Sequence, residues 1–231
     1  MPARSRVLPA TRRSLLLIYR RLLARGGHAG WWPGETPFEV CIGAILVQNT
    51  SWSNVEKALG RLRLRGLLEF AALDRLSAGR LAPLIRPSGT FRVKARRLRA
   101  FLDFLGARYG GRVEAMRHEE PRELRQALLS VRGIGRETAD SVGLYAAGLP
   151  LFVVDAYTRR VFARLGLVSG DEPYDELQRF FASRLGANAP LFNDFHAQIV
   201  RLAKDVCRKR PRCAACPLSG VCPRHGVSSM S

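Results

Sequence analysis

Four cysteines, Cys207, Cys213, Cys216 and Cys222, fall in one short stretch with the spacing C-x5-C-x2-C-x5-C. Four thiolates so close together can hold a zinc ion or an iron-sulfur cube, and the donor set alone leaves both open. In a chain read as cytoplasmic, such crowding points to metal ligands rather than to a disulfide framework. Cys41, alone in the apolar run FEVCIGAIL, reads as core. Between the first two clustered cysteines the loop RKRPR supplies Arg208, Lys209, Arg210 and Arg212. These cations suit phosphate contacts, and they equally describe a solvated basic surface.

A second constellation is VRGIGRETAD, in which Gly133 and Gly135 flank Ile134 ahead of a helix beginning Arg136, Glu137, Thr138. Glycine allows positive φ and close backbone approach, and a helix start presents N–H groups that can hold a phosphate oxygen. That combination fits a helix-hairpin-helix clamp on a nucleic-acid backbone; a tight helix-helix turn has the same spelling. Downstream, LFVVD brings Asp155 out of an apolar segment onto the start of AYTRRVFARLG. A carboxylate fixed there can stabilise positive charge on a reacting carbon and orient water. It can also be an ordinary helix cap.

These residues need a frame. Apolar residues recur at helical spacing in SLLLIYRRLLA, FEVCIGAILVQ, VEKALGRLRL, KARRLRAFLDFLGARYG, ELRQALLSV, ETADSVGLYAAG, AYTRRVFARLG, YDELQRFFASRL and FNDFHAQIVRLAKDVC. Alternating strand patterns are nearly absent, so the fold class is all-α. Ser53 ahead of Glu56 reads as a capping box, and Gly110-Gly111 and Gly148 stand where helices should stop. No repeat, low-complexity segment or long linker appears.

The balance of 38 Lys plus Arg against 19 Asp plus Glu gives a formal charge of +19 and a sequence pI near 11.2, which calls for a polyanionic partner. With 47% hydrophobic residues in 231, the chain can bury a real core. No window is apolar enough to span a bilayer and no secretory cleavage pattern follows the basic start, so a soluble, cytoplasmic protein without membrane association is expected, nucleoid-associated if bacterial; a monomer is the further expectation.

Together LLSVRGIGRETAD, VVDAYTRRVFARLGL and the cysteine group resemble the endonuclease III superfamily of DNA glycosylases, over roughly Gly30 to Cys222. WWPGETPFEVCIGAILVQNTSW, IRPSGTFRVKARRL and YDELQRFF look most like its 3-methyladenine glycosylase branch. The resemblance implies two helical lobes, residues 37–149 forming a helical barrel with the hairpin and residues 1–36 plus 150–231 a second lobe, with damaged double-stranded DNA entering between them. It makes Asp155 the catalytic carboxylate, and Gly133, Gly135 and Arg136 backbone contacts. Bifunctional members carry a Schiff-base-forming lysine where this chain has Glu137, which implies a monofunctional enzyme using water. The cysteines become 4Fe-4S ligands, with zinc as the alternative, although the first gap is one residue shorter than the family's usual spacing.

The same resemblance gives Gln48 the role of a wedge filling the vacancy left by a flipped nucleotide. A polar turn residue is the plainer reading. Trp31 or Trp32, together with Trp52, would stack on the extruded base, with Lys204 beside it; buried tryptophans elsewhere are core. Gln198 stands where the branch has a pocket-edge lysine, and some branch members lack the cysteines, so the chain combines features. Alkylated purines are the expected substrates. An endonuclease III-type enzyme for oxidised pyrimidines, a thymine or uracil mismatch glycosylase, or a DNA-binding module without chemistry are the other readings.

Overall fold

A computed structural model describes residues 8–30 and 34–227. Among them there is no strand, and no helix is long and apolar enough to cross a membrane. The chain divides into two compact units, residues 1–31 with 150–231, and residues 32–149.

The first unit starts with α1 (Arg12–Gly26), capped by the Thr11 hydroxyl, which accepts from the Ser14 N–H at 3.3 Å. Its buried stripe, Leu15, Ile18 and Leu22, follows the helical repeat.

The second unit is built around α2 (Pro37–Leu46). Phe38 through Leu46 are all buried, so this helix is central rather than amphipathic. Thr36 caps it and Pro37 pre-sets its first turn. The unit also holds α3 (Trp52–Arg63), α4 (Phe70–Asp74), α5 (Ala78–Leu84), α6 (Phe91–Tyr109), α7 (Pro121–Leu129) and α8 (Arg136–Ser141), of which α3, α6 and α8 pack on α2. The start of α3 differs from expectation: Ser51, not Ser53, is the cap residue, and the two hydroxyls lie 3.0 Å apart instead of reaching the helix. At the end of α6, Gly110 adopts φ 60°, and the Gly111 N–H returns to the Leu105 carbonyl at 3.1 Å.

A charged group lies inside this unit. Lys94 is 1% exposed, and its Nζ donates to the Leu46 carbonyl at 2.8 Å and to the Ser88 carbonyl. It thereby satisfies a carbonyl at the C-terminal end of α2 that no further helical turn can reach. Burial, and secondarily Arg97, pull its pKa down to about 8.

After α8 the helix widens through residues 142–146, where the Ala147 N–H reaches back five residues to the Val142 carbonyl at 3.1 Å. The first unit then resumes with α9 (Ala156–Arg164), α10 (Tyr174–Leu185) and α11 (Ala189–Asp205). Its core is aromatic. Phe152 stacks on Phe181 with centroids 4.3 Å apart and meets Phe192 edge-on at 5.3 Å, while Phe162 sits edge-on to Phe181 at 4.7 Å.

Candidate active site

The segment Leu151–Val154 is extended and buried, with the Phe152 ring locked into the aromatic core. The Val154 N–H donates to the Tyr174 hydroxyl at 3.3 Å. A segment pinned on both sides delivers Asp155 to the N-terminus of α9 with little freedom. There Oδ1 accepts from the Thr158 N–H at 2.7 Å and from the Thr158 hydroxyl at 2.9 Å. Asp155 is therefore a helix cap by geometry.

Only one oxygen is consumed by the cap. Oδ2 stands 3.6 Å from Nε2 of His196 on α11, and the Asp155 side chain is 15% exposed while that of His196 is 5% exposed. Burial works against the carboxylate charge, but His196 and the two Thr158 hydrogen bonds outweigh it and hold the pKa below the usual carboxylate value. The group is a half-buried, oriented carboxylate kept ionised. Nothing in the sequence singles out His196. There it is only one residue of the apolar helix FNDFHAQIVRLAK, and its relation to Asp155 depends on how α9 and α11 pack.

Gly133 has φ +91°, and an added Cβ would meet the Arg97 side chain at 2.3 Å, so both backbone and space demand glycine. Gly135 is the cap residue of α8, and its carbonyl accepts from the Ala139 N–H at 2.9 Å. Arg136 and Glu137 occupy the exposed first turn. Gln48 joins this element: its Nε2 donates to the Gly133 carbonyl at 3.1 Å and to the Thr138 hydroxyl at 2.9 Å, and its Oε1 accepts from Arg97. Arg97 is a second residue missed from sequence.

Of the expected base-contact residues, Trp31 and Trp32 lie outside the described residues. Trp52 is half-buried against the core of the second unit. Lys204 is exposed near the end of α11. Gln198 is 1% exposed; its Nε2 donates to the Gly27 carbonyl at 2.8 Å and its Oε1 accepts from Arg201. It also lines a pocket with Arg25, Arg201 and Asp205.

Cys207, Cys213, Cys216 and Cys222 all line one pocket, together with Arg164, Val206 and Pro211. Loop turns such as the Cys216 N–H to the Cys213 carbonyl, 3.2 Å, and the Arg212 N–H to the Val206 carbonyl, 2.9 Å, fold the stretch inward. Burial raises the Cys216 and Cys222 pKa values, and the neighbouring cysteines add to this. The donor set and its convergence suit a four-thiolate metal centre, although no group of three or more candidate ligands among the described residues stands in coordinating arrangement. From α9, Arg160 donates to the Cys207 carbonyl at 3.0 Å, and Arg164 donates to Cys207 Sγ at 3.3 Å and to the Lys209 carbonyl at 3.0 Å. The side chains of Arg208, Lys209, Arg210 and Arg212 remain exposed on that pinned backbone.

Known proteins agree with this frame. A protein of Methanocaldococcus jannaschii named provisionally as a DNA repair glycosylase is 43% identical over 206 residues, spanning 89% of this chain and 94% of that protein. Endonuclease III of Thermotoga maritima is 30% identical over 187 residues, spanning 80% of this chain and 82% of that protein. The H. pylori 3-methyladenine DNA glycosylase, solved with 1,N6-ethenoadenine bound, is 29% identical and superposes with a TM-score of 0.73, covering 85% of this chain and 98% of that one. Residues 42–186 match the model of the HhH-GPD superfamily base excision DNA repair proteins. With the glycine hairpin, the capping aspartate and these relatives in agreement, the chain belongs to the HhH-GPD superfamily of base excision DNA repair proteins, among the endonuclease III-like DNA glycosylases.

Proposed function

We propose that this protein is a monofunctional DNA glycosylase that hydrolyses the N-glycosidic bond of alkylated purines in double-stranded DNA, with Asp155 as its catalytic residue. The observation that carries the reading is the state of Asp155: half-buried, oriented through Oδ1, held ionised, with a second oxygen left over from the cap. As the glycosidic bond breaks, its electron pair leaves with the base and positive charge builds at C1′. The fixed carboxylate stabilises that charge and orients a water whose oxygen bonds to C1′ while its proton passes to the carboxylate or to solvent. An N3- or N7-alkylated purine is already cationic and departs neutral, so no general acid is needed. Glu137 stands where a lyase amine would have to be, and a carboxylate cannot form an imine.

The hairpin around Gly133 and Gly135, with Arg136, contacts the phosphate backbone in this reading. Gln48 fills the vacancy of the flipped nucleotide, and Trp52, Lys204 and one of Trp31 and Trp32 meet the base. Cys207, Cys213, Cys216 and Cys222 hold a 4Fe-4S cluster that braces their loop and serves no redox step, because hydrolysis moves no net electrons. Stoichiometric iron and acid-labile sulfide in the purified protein are expected; a colourless protein with stoichiometric zinc would replace the cluster by zinc.

Mass-spectrometric identification of bases released from alkylated and oxidised duplexes tests the function. Methylated purines are expected from the native protein, with no release by Asp155→Asn and duplex binding retained. Sodium borohydride should trap no covalent complex. Release by Asp155→Asn would remove Asp155 from the mechanism, and a robust trapped complex would remove the monofunctional assignment. Release of oxidised pyrimidines instead would assign the chain to the endonuclease III-type activity.

A further inference from the structure

Asp155 has two oxygens, and the structure treats them differently. Oδ1 accepts two hydrogen bonds from Thr158, which closes the first turn of α9. Oδ2 faces away from that turn, toward the imidazole of His196, which is delivered by a different helix and is 4% exposed as a residue. An imidazole buried beside a carboxylate is a costly arrangement unless the two groups serve each other, since each must lose hydration. The helix that carries it is strongly held: Asp194, two residues earlier, accepts from the Tyr19 hydroxyl at 2.7 Å and from the Ala29 N–H at 2.8 Å, and Phe195 packs against Tyr19 with centroids 5.3 Å apart. His196 is thus not free to drift from Asp155.

We propose that His196 is a positioning residue for Asp155: with its proton on Nε2, it fixes Oδ2 as Thr158 fixes Oδ1, so that the carboxylate meets the sugar in one orientation. The inference rests on Asp155 being the catalytic residue. It accounts for why a half-buried carboxylate whose second oxygen is not used by the cap stays ionised, a condition to which His196 is the largest favourable contributor. The 3.6 Å separation is longer than a formed hydrogen bond, and closure by a few tenths of an ångström on duplex binding would complete it. Loss of orientation at a reacting centre costs up to about 100-fold in rate.

The test measures single-turnover release of a methylated purine and, separately, duplex affinity for His196→Leu, His196→Gln and Asp155→Asn. His196→Leu should lose about 10- to 100-fold in release rate while duplex affinity stays within about 3-fold. His196→Gln keeps an N–H donor and should recover a large part of the loss, which a packing role would not produce. On the native protein, heteronuclear NMR should show His196 protonated at Nε2, with ring resonances that shift in Asp155→Asn; this readout does not depend on any His196 variant folding. Unchanged release by His196→Leu, failure of His196→Gln to recover any loss, or ring resonances indifferent to Asp155→Asn would overturn the proposal. Base release by Asp155→Asn itself would overturn the parent reading, and with it the role assigned to His196.

Discussion

At the scale of single residues, Asp155 shows that a helix cap leaves a carboxylate one oxygen that the helix does not use. The cap takes one oxygen, and the neighbours that satisfy it also lower its pKa. This has a thermodynamic consequence. A carboxylate whose folded pKa lies below its unfolded value stabilises the protein fully above the unfolded pKa, and that contribution fades as pH falls through the folded one. Asp155→Asn can still cap the helix but cannot carry the charge. The native protein should therefore melt above Asp155→Asn at neutral pH, with the gap closing below about pH 4. Melting curves of the two proteins from neutral to acidic pH decide it; a gap that is constant with pH would show that the charge contributes nothing to folding. Legibility in the sequence follows the same division. Asp155 as a cap and Gly133 as a turn glycine could be picked out because their surroundings are local. His196 and Arg97 could not, because each acquires its partner from a different part of the chain.

At the scale of elements, the sequence was most informative where one apolar stripe faces one core. YDELQRFFASRL is helical throughout, as its repeat requires, and α6 stops at the glycine pair expected to end it. The widened turn at residues 142–146 left no trace in the repeat, because bonds spanning five residues shift register without changing composition. Ser53 looked like a cap because Glu56 lies three residues on, yet Ser51 precedes the first helical residue. Lys94 was lost inside the basic run KARRLR, although it is the element's buried anchor: three residues before Arg97, it ties α6 to the carbonyl ends of α2 and the turn at Ser88. Lys94→Met keeps much of the buried stem but leaves both carbonyls without this donor. Denaturant unfolding should show a loss of about 2–4 kcal/mol. A loss below about 0.5 kcal/mol would mean that other groups reach those carbonyls as well.

At the scale of the whole molecule, the dominant property is the charge of +19, which composition alone displays. Its distribution has a structural side that composition does not display. Arg160 and Arg164 turn inward and spend their guanidinium groups on the backbone and sulfur of the cysteine loop, while Lys209, Arg210 and Arg212 in that loop stay exposed. Two classes of basic residue follow, one that shapes the loop and one that is available to a polyanion. For duplex DNA, each phosphate neutralised contributes about −0.9 to the slope of log K against log salt. Replacing Lys209, Arg210 and Arg212 together by alanine should weaken duplex binding at low salt and make that slope shallower by about 0.9 for every phosphate no longer neutralised, with base release at saturating protein unchanged. Affinity titrations across a salt series, with metal content measured in parallel, separate the possibilities. A shallower slope at unchanged metal content places the loop on the DNA backbone. An unchanged slope would make these cations solvated surface and leave the electrostatic attraction to the basic residues of other elements.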